Sequence, residues 1–512
     1  MEKSGASYQN PVVRGFSPDP SVICVDGMFY MVNSTFQYFP AVVIRESRDL
    51  VNWRIIGHAI TRPEWINLQD VPDSHGIWAP DISYAEGKFW IFAPLRLSGE
   101  GARPHVVLRR QLVMHADKPE GPYSKPICLE VDAIDPSHFV DDDGRPYLVT
   151  APGVTVTPLT ADRSCLAGPS KQVWAGTGLP APEGPHLFKK DDFYYALLAE
   201  GGTGYHHQVS VARSKHLNGP YTPCPHNPIL TQHDPTAPLQ RCGHAKFVQA
   251  PDGRWFAFYL CARPLEGKFT VNGRETALQE VYWDQDGWPD MKPPLETAPM
   301  PYPGGVQRPD GDFFDDFDSP VLRPEWSFVR TPSVEWSLTQ RENHFRIWTE
   351  NGDLCDRWTK NTLVLRETEH RFTAEIRLSF QPEWEGEQAG LCCYYDTQSY
   401  IKCALGKEGI ALGFRCGTSP EETLALQPVN AHEPVDLRVV VDGLRRVFFF
   451  RQGESEWQLL GEIPRCTFLS DEGIQNPKRH TGAMTGLFAT NGGCGSRKPA
   501  DFDWFRKCVS PQ

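Results

Sequence analysis

Three acidic residues, Asp19, Asp135 and Glu183, stand at the same place in three copies of one recurring phrase. Asp19 lies in Pro-Asp-Pro, Asp135 opens Asp-Pro-Ser, and Glu183 lies in Pro-Glu-Gly. Carboxyl groups brought together in this way suit hydrolysis of a glycosidic bond. One carboxylic acid protonates the leaving oxygen, and one carboxylate activates water or attacks the sugar. A single Asp-Pro is ordinary turn chemistry, with the carboxylate capping backbone amides. Three carboxylates at one repeat position argue for a shared site instead. The Asp141-Asp142-Asp143-Gly144 run ends its strand and reads as a solvated turn. Glu200, in Ala-Glu-Gly-Gly-Thr at the end of another strand, is a weaker site candidate.

The elements that must position these residues are short strands. The phrase runs acidic or polar residue, small loop, apolar strand, Asp-Gly-type turn, aromatic strand. It starts at Ser17, Trp78, Ile134, Pro182 and Gly243. A period of roughly 50–60 residues built of short strands predicts a propeller with one blade per copy, hence five blades. The innermost strand of each blade begins at the axis, so the first residues of the copies should converge on one pocket. The second copy has Ala79 where a carboxylate would stand, beside Trp78, and the fifth offers His244. From 291 to 311 six prolines and a Gly-Gly pair predict an extended linker. Beyond it the phrase stops. Thr373–Phe380 alternates between faces, and Val435–Val441 and Leu444–Phe450 flank Asp442-Gly443, a hairpin signal. The expected class is all-β: a five-bladed β-propeller over 1–300, a linker over 301–312, and a concanavalin-like β-sandwich over 313–512.

Composition supports that class and excludes others. The chain has 512 residues, too many for one ordinary core, with 46 Pro and 43 Gly to serve its many turns. The net charge is −13 and no basic tract stands out, which argues against nucleic acid or an anionic membrane as partner. No run of 18 apolar residues is present to span a bilayer. The first residues contain no apolar stretch resembling a signal segment, so a cytoplasmic location is expected, or secretion if a signal was removed. The 14 cysteines are scattered without a CxxC pair and read as free thiols, many inside apolar strands. Homo-oligomerisation stays open.

In order along the chain, NPVVRGFSPDPSV at Asn10, STFQYFP at Ser34, HGIWAPDISY at His75, IDPSHFVDDDG at Ile134, APEGPHLF at Ala181, GHAKFV at Gly243 and GRETALQ at Gly273 resemble glycoside hydrolase family 43. FFDDFDSP at Phe313 and ADFDWF at Ala500 resemble its β-xylosidase and α-L-arabinofuranosidase branch, which carries a C-terminal β-sandwich. The resemblance implies an inverting exo-glycosidase releasing terminal pentose from xylo-oligosaccharides or arabinose-substituted ones. It implies Asp19 as general base, Glu183 as general acid, and Asp135 as the carboxylate that orients the acid and tunes its pKa. It places Phe36 and Trp78 on the walls of the sugar pocket and Arg274 on sugar hydroxyls. His244 matches a histidine under the pocket floor that faces calcium in some members and only hydrogen-bonds in others. No cofactor is required by the chemistry, and calcium stays open as a structural ion. The sequence departs from relatives at Asp81, after Trp-Ala-Pro, and at Lys246, after His-Ala. In this branch the sandwich sends an aromatic over the pocket, for which Phe502 and Phe505 are candidates, against their alternative as sandwich core. Two rival classes remain, a non-catalytic carbohydrate-binding propeller and a peptide-binding repeat propeller. The first predicts loss of a carboxylate, and none is lost. The second predicts Gly-His and Trp-Asp signatures in each blade, which do not recur.

Overall fold

The computed structural model describes residues 6–98, 107–308, 311–332, 335–357, 361–474 and 480–509. Five separate antiparallel sheets follow one another from residue 21 to 290. Their innermost strands are Ser21–Val25, Asp81–Ala85, Ile134–Val140, Glu183–Lys190 and Gln240–Gln249. These are the five copies of the recurring phrase, one per blade. In the first two blades the inner strand turns into the next through two residues, Asp26-Gly27 and Glu86-Gly87. Both residues of each turn hold positive φ, as a type I′ turn requires for the right-handed twist of its strands.

Each neighbouring pair of blades has its own apolar cluster. Ile44, Ile82 and Phe89 join the first two blades, and Trp90, Phe92 and Leu148 join the second and third. Phe139, Leu187 and Leu198 join the third and fourth, and Val209, Phe247 and Tyr259 join the fourth and fifth. Val22, Met31, Phe256 and Phe258 close the ring between the fifth and the first. Full burial of one such side chain stabilises by roughly 1.5–3 kcal/mol, so the ring is held by its inter-blade seams. The proline-rich stretch is not wholly extended linker. Thr297–Pro299 pairs with Ser7–Gln9 and ties the two ends of the propeller together.

The C-terminal part is a sandwich of two eight-stranded sheets around one large apolar core. The hairpin predicted at Asp442-Gly443 is present, with Asp442 opposite Arg445. One of these sheets ends on a strand that belongs to the first blade: Tyr38–Phe39 pairs with Ser327–Val329. Around this strand Phe16, Phe36 and Tyr38 of the propeller share a cluster with Val329, Tyr394, Tyr400 and Phe488 of the sandwich. Two buried ion pairs and a charge-assisted hydrogen bond add to the seam. Arg330 donates to Asp73 at 2.7 Å, Arg241 to Asp471 at 2.9 Å, and Thr270 N to Glu472 at 2.9 Å. All 14 cysteines are unpaired; seven are buried and five exposed.

A seam of this kind leaves each half unable to stand alone. Removing the sandwich would expose the Phe16–Phe36–Tyr38 face and strand the buried Arg241 guanidinium without its carboxylates. A chain ending at Gly311 is therefore expected to be insoluble or nearly inactive. A soluble, monodisperse propeller with the full turnover of the intact chain would show the sandwich to be a detachable accessory.

Candidate active site

One pocket lies at the axis, lined by Asp19, Phe36, Trp78, Asp135, Glu183, His244 and Arg274, together with Ala79, Ile134, Thr203 and His480. All seven residues expected from the sequence thus share it. Asp19 leads into its inner strand, Asp135 and Glu183 stand at the start of theirs, and His244 lies at a bulge within the fifth. Three of these four, Asp19 (φ 55°), Asp135 (φ 52°) and His244 (φ 50°), hold the left-handed conformation that side chains seldom adopt. The inner strands of the third, fourth and fifth blades also lose register at the same level, between Ile134 and Ser137, Glu183 and His186, and Gly243 and Lys246. Bulges of this type re-aim a side chain away from the strand's alternation. Here they turn successive strand openings toward one centre.

Asp19 and Asp135 are buried, and Glu183 is partly exposed. Asp19 accepts from Arg274 at 3.0 Å and from Ser34 at 2.5 Å, and His244 Nδ1 stands 3.8 Å from it. Burial alone would raise its pKa. Arg274, then His244 and the Ser34 hydroxyl, outweigh burial and hold it below the usual carboxylate value. Asp135 has the opposite environment. Burial first, then the charges of Glu183 and Asp19, push it well above 3.8, against one hydrogen bond from Gly184 N at 2.9 Å. Burial and the nearby Glu183 charge thus favour a proton on Asp135 in a range where Asp19 is ionised. His244 is held below its ordinary value by burial, and His207, behind it, is lowered by burial to about 3, so both rings are neutral at working pH.

Phe36 and Trp78 form the apolar wall. Their ring centroids lie 5.9 Å apart, and an exchange of backbone hydrogen bonds between Phe36 and Ile77 sets them side by side. The Trp78 indole donates to Ser74 O at 2.9 Å. Arg274 also reaches Thr203 Oγ1 at 3.3 Å and His480 O at 3.2 Å, and its buried Nε has no hydrogen-bond partner among the described residues.

The wall contributed by the sandwich is His480, not Phe502 or Phe505. Both phenylalanines are fully buried in the sandwich core, where strand alternation points them inward. The His480 ring lies 6.3 Å from Phe36 and 6.0 Å from Trp78, and its backbone N donates to Ser74 Oγ at 3.1 Å. Nothing local in the sequence marks His480, because it is brought to the pocket only by docking of the two halves. Thr203 and His207 were also missed; the Gly201-Gly202 pair beside them was the available signal. Glu200 is not a pocket residue. It is fully buried and accepts from Thr177 N at 2.8 Å and Thr177 Oγ1 at 2.9 Å.

The calcium expected near His244 in some family members does not fit this chain. The residues below His244 are Asp81, His138, His186 and Lys246. The one carboxylate among them is already paired with the Lys246 ammonium. Calcium takes six to eight oxygen ligands, and a fixed ammonium beside the only carboxylate opposes it.

A β-propeller with a sandwich behind it, and an axial pocket that sets a carboxylate held low by an arginine against a buried carboxyl held high by a neighbouring acid, marks a glycoside hydrolase. Residues 8–289 match the family model described as glycosyl hydrolases family 43, and 314–507 match the beta xylosidase C-terminal concanavalin A-like domain. The chain belongs to glycosyl hydrolase family 43. It is 33% identical over 532 aligned residues, 98% of each chain, to a xylan 1,3-beta-xylosidase of a Vibrio species. It is 32% identical to xylosidase/arabinosidase 43B of Humicola insolens over 97% of both chains. Among solved structures it is similar to the GH43 BlXynB protein of Bacillus licheniformis, with 49% identity, a TM-score of 0.94, and coverage of 98% of this chain and 100% of that one.

Gly184 ties this geometry together. Its φ is +61°, its N–H holds Asp135, and a Cβ there would stand 3.0 Å from the His244 ring. Gly184→Ala should cost about 1–2 kcal/mol in urea unfolding and depress turnover more than binding. Stability and turnover equal to wild type would show that the contact is not tight.

Proposed function

We propose that this enzyme removes a terminal pentose from the non-reducing end of xylo-oligosaccharides by single-step inversion, as a β-xylosidase. Asp19 is the general base, Glu183 the general acid, and Asp135 the group that positions the acid and keeps it protonated. The observation that carries this reading is the electrostatic contrast inside one pocket. Asp19, held ionised by Arg274 and Ser34, can take a proton from water. The Asp135–Glu183 pair, holding a proton, can give one to the leaving oxygen. Phe36 and Trp78 offer apolar faces to the sugar ring, and the Arg274 guanidinium stands among the pocket's lining groups. The wall that His480 adds beside Phe36 and Trp78 supports removal of end units over cleavage within a chain.

A second reading, α-L-arabinofuranosidase or a bifunctional enzyme, draws on the name of the Humicola relative. The two pentoses present similar hydroxyl patterns, and the pocket walls do not separate them. Rates on aryl β-D-xylopyranoside against aryl α-L-arabinofuranoside decide between the readings. A ratio favouring the arabinoside by tenfold or more overturns the first. Release of the inverted anomer as first product, followed by NMR, checks the stereochemistry.

The division of labour predicts different losses at the two ends of the reaction. Asp19→Ala should abolish turnover of every substrate, because the base is needed whatever the leaving group. Glu183→Ala should slow xylobiose by roughly 10²–10⁴-fold but spare activated aryl glycosides, whose leaving groups need little protonation. Equal losses on both substrates would remove Glu183 from the acid role.

Asp135 predicts a shift in pH dependence. Two carboxyls this close disfavour each other's ionisation, and burial with the Glu183 charge already holds Asp135 well above its ordinary value. Asp135→Asn removes that repulsion, the acid loses its proton earlier, and the alkaline limb of kcat against pH should move to lower pH. The acidic limb, set by Asp19, should move less. An unmoved alkaline limb with full activity contradicts this assignment.

A further inference from the structure

Glu183 is delivered to the pocket by one connection, residues 175–182. It leaves the outermost strand of the third blade, Lys171–Trp174, and ends at Glu183, the first residue of the fourth inner strand. Its residues form no strand or helix, and most of them are exposed. Ala181, two residues before Glu183, holds φ 51°, a conformation that its Cβ disfavours. Strain of this kind persists only where contacts from outside the segment fix it.

Three contacts do so. The Glu200 carboxylate takes Thr177 with both oxygens, Oε1 accepting from Thr177 N at 2.8 Å and Oε2 from Thr177 Oγ1 at 2.9 Å. Gly201 N donates to Pro180 O at 2.8 Å, and Gly153 N donates to Pro182 O at 2.9 Å. The first two contacts come from adjacent residues at the end of one strand, Phe193–Glu200, whose Ala199 is paired with Glu183 itself. The connection is thus folded back onto the two-stranded unit that carries the acid. Glu200 is fully buried, and no cation pairs with it among the described residues. A buried carboxylate without a cation is costly, and two donors from one residue are what offset that cost here. The carboxylate also lies against the backbone of the connection. A Cβ at Gly176, where φ is +95°, would stand 2.6 Å from Glu200 Oε1.

We infer that Glu200 is a positioning residue for the general acid: by gripping Thr177 it fixes the connection that delivers Glu183, and so sets where the acid stands relative to the leaving oxygen. The inference rests on the assignment of Glu183 as the acid. Proton transfer needs its two heavy atoms within about 2.6–3.2 Å, so a loosened approach to Glu183 acts on that step. The base has its own support. Thr203, three residues beyond Glu200, meets Arg274, and its carbonyl is held by Arg241 at 3.0 and 2.9 Å.

The experiment compares turnover of xylobiose with that of a dinitrophenyl β-D-xyloside, whose leaving group departs without protonation. Glu200→Ala should lower kcat on xylobiose by on the order of ten- to a hundredfold, with KM and the aryl xyloside little affected. Glu200→Gln should restore most of the loss, because its carbonyl can accept from Thr177 N and its amide can donate to Thr177 Oγ1. Added to Glu183→Ala, Glu200→Ala should cost nothing further, since no acid is left to position. Equal losses on both substrates, a further loss in the Glu183→Ala background, or full xylobiose turnover by Glu200→Ala overturns the inference. Should Glu200→Ala fail to fold, Thr177→Val, at an exposed position, carries the test. A smaller loss confined to xylobiose supports the inference, and no loss or an equal loss overturns it. Glu183→Ala measured alone separates the two failures. If it slows both substrates equally, the acid assignment falls and the inference falls with it.

Discussion

The five inner strands belong to five separate sheets, so no backbone ladder ties them to one another around the axis. Beyond the apolar seams, polar contacts do so: Asp135 accepts from Gly184 N, Ser137 Oγ donates to Pro185 O, and Asp81 gathers groups from four blades. A fully buried carboxylate carries a large desolvation penalty unless its lone pairs and its charge are both met. Ser21 and His138 N meet the lone pairs and Lys246 meets the charge. Four blades thereby converge on one group, and His186 of the remaining blade packs beside it. The pocket lies immediately above. Asp135, Glu183 and His244 sit on the same strands and Asp19 and Ala79 lead directly into theirs, so their spacing about the axis is inherited from the layer below.

Above that layer the chain accepts local strain in return for convergence. Left-handed backbone at Asp19, Asp135 and His244 and the register shifts in three inner strands each weaken a strand entrance taken alone. The seams between blades over-determine these positions, so the strain persists. Its effect is to place two acidic environments of opposite character in one pocket. Asp19 is surrounded by donors, and Asp135 by a second carboxyl and a single backbone amide. The difference between base and acid is thus a difference in neighbours, not in residue type, and Arg274 is the chief contributor to it.

Much of this was readable in the sequence because a propeller repeats. Five copies of one phrase gave the number of blades, and position within the phrase gave Asp19, Asp135, Glu183 and His244 without knowledge of any contact. Phe36, Trp78 and Arg274 came from motif resemblance, and the same pocket holds them. What the repeat could not reach were contributions that depend on docking. His480 follows no local pattern, and Phe502 and Phe505, in an aromatic run that suggested reach, alternate into the sandwich core. Thr297–Pro299 lay hidden in a proline-rich stretch because its partner, Ser7–Gln9, is nearly three hundred residues away. The roles of Asp81 and Lys246 were likewise visible only as departures from pattern. Their partnership joins two copies of the phrase, and a repeat read one copy at a time does not show it.

The segment from Ser34 to Phe39 shows why the sandwich belongs to the active site. Ser34 donates to Asp19, Phe36 lines the pocket, and Tyr38–Phe39 is an edge strand of the sandwich sheet, all within six residues. A shift of that edge strand would carry the pocket wall and the Asp19 hydrogen bond with it. The opposite route runs through His480, whose carbonyl accepts from the same Arg274 that pairs with Asp19. The guanidinium is therefore held from both halves of the molecule, by the base on one side and by the sandwich backbone on the other. Loss of either hold frees a rotatable cation beside Asp19, whose low pKa depends on that cation staying in place. Domain docking thus acts on the reaction electrostatically, through the position of one arginine, as well as sterically through the wall that His480 adds.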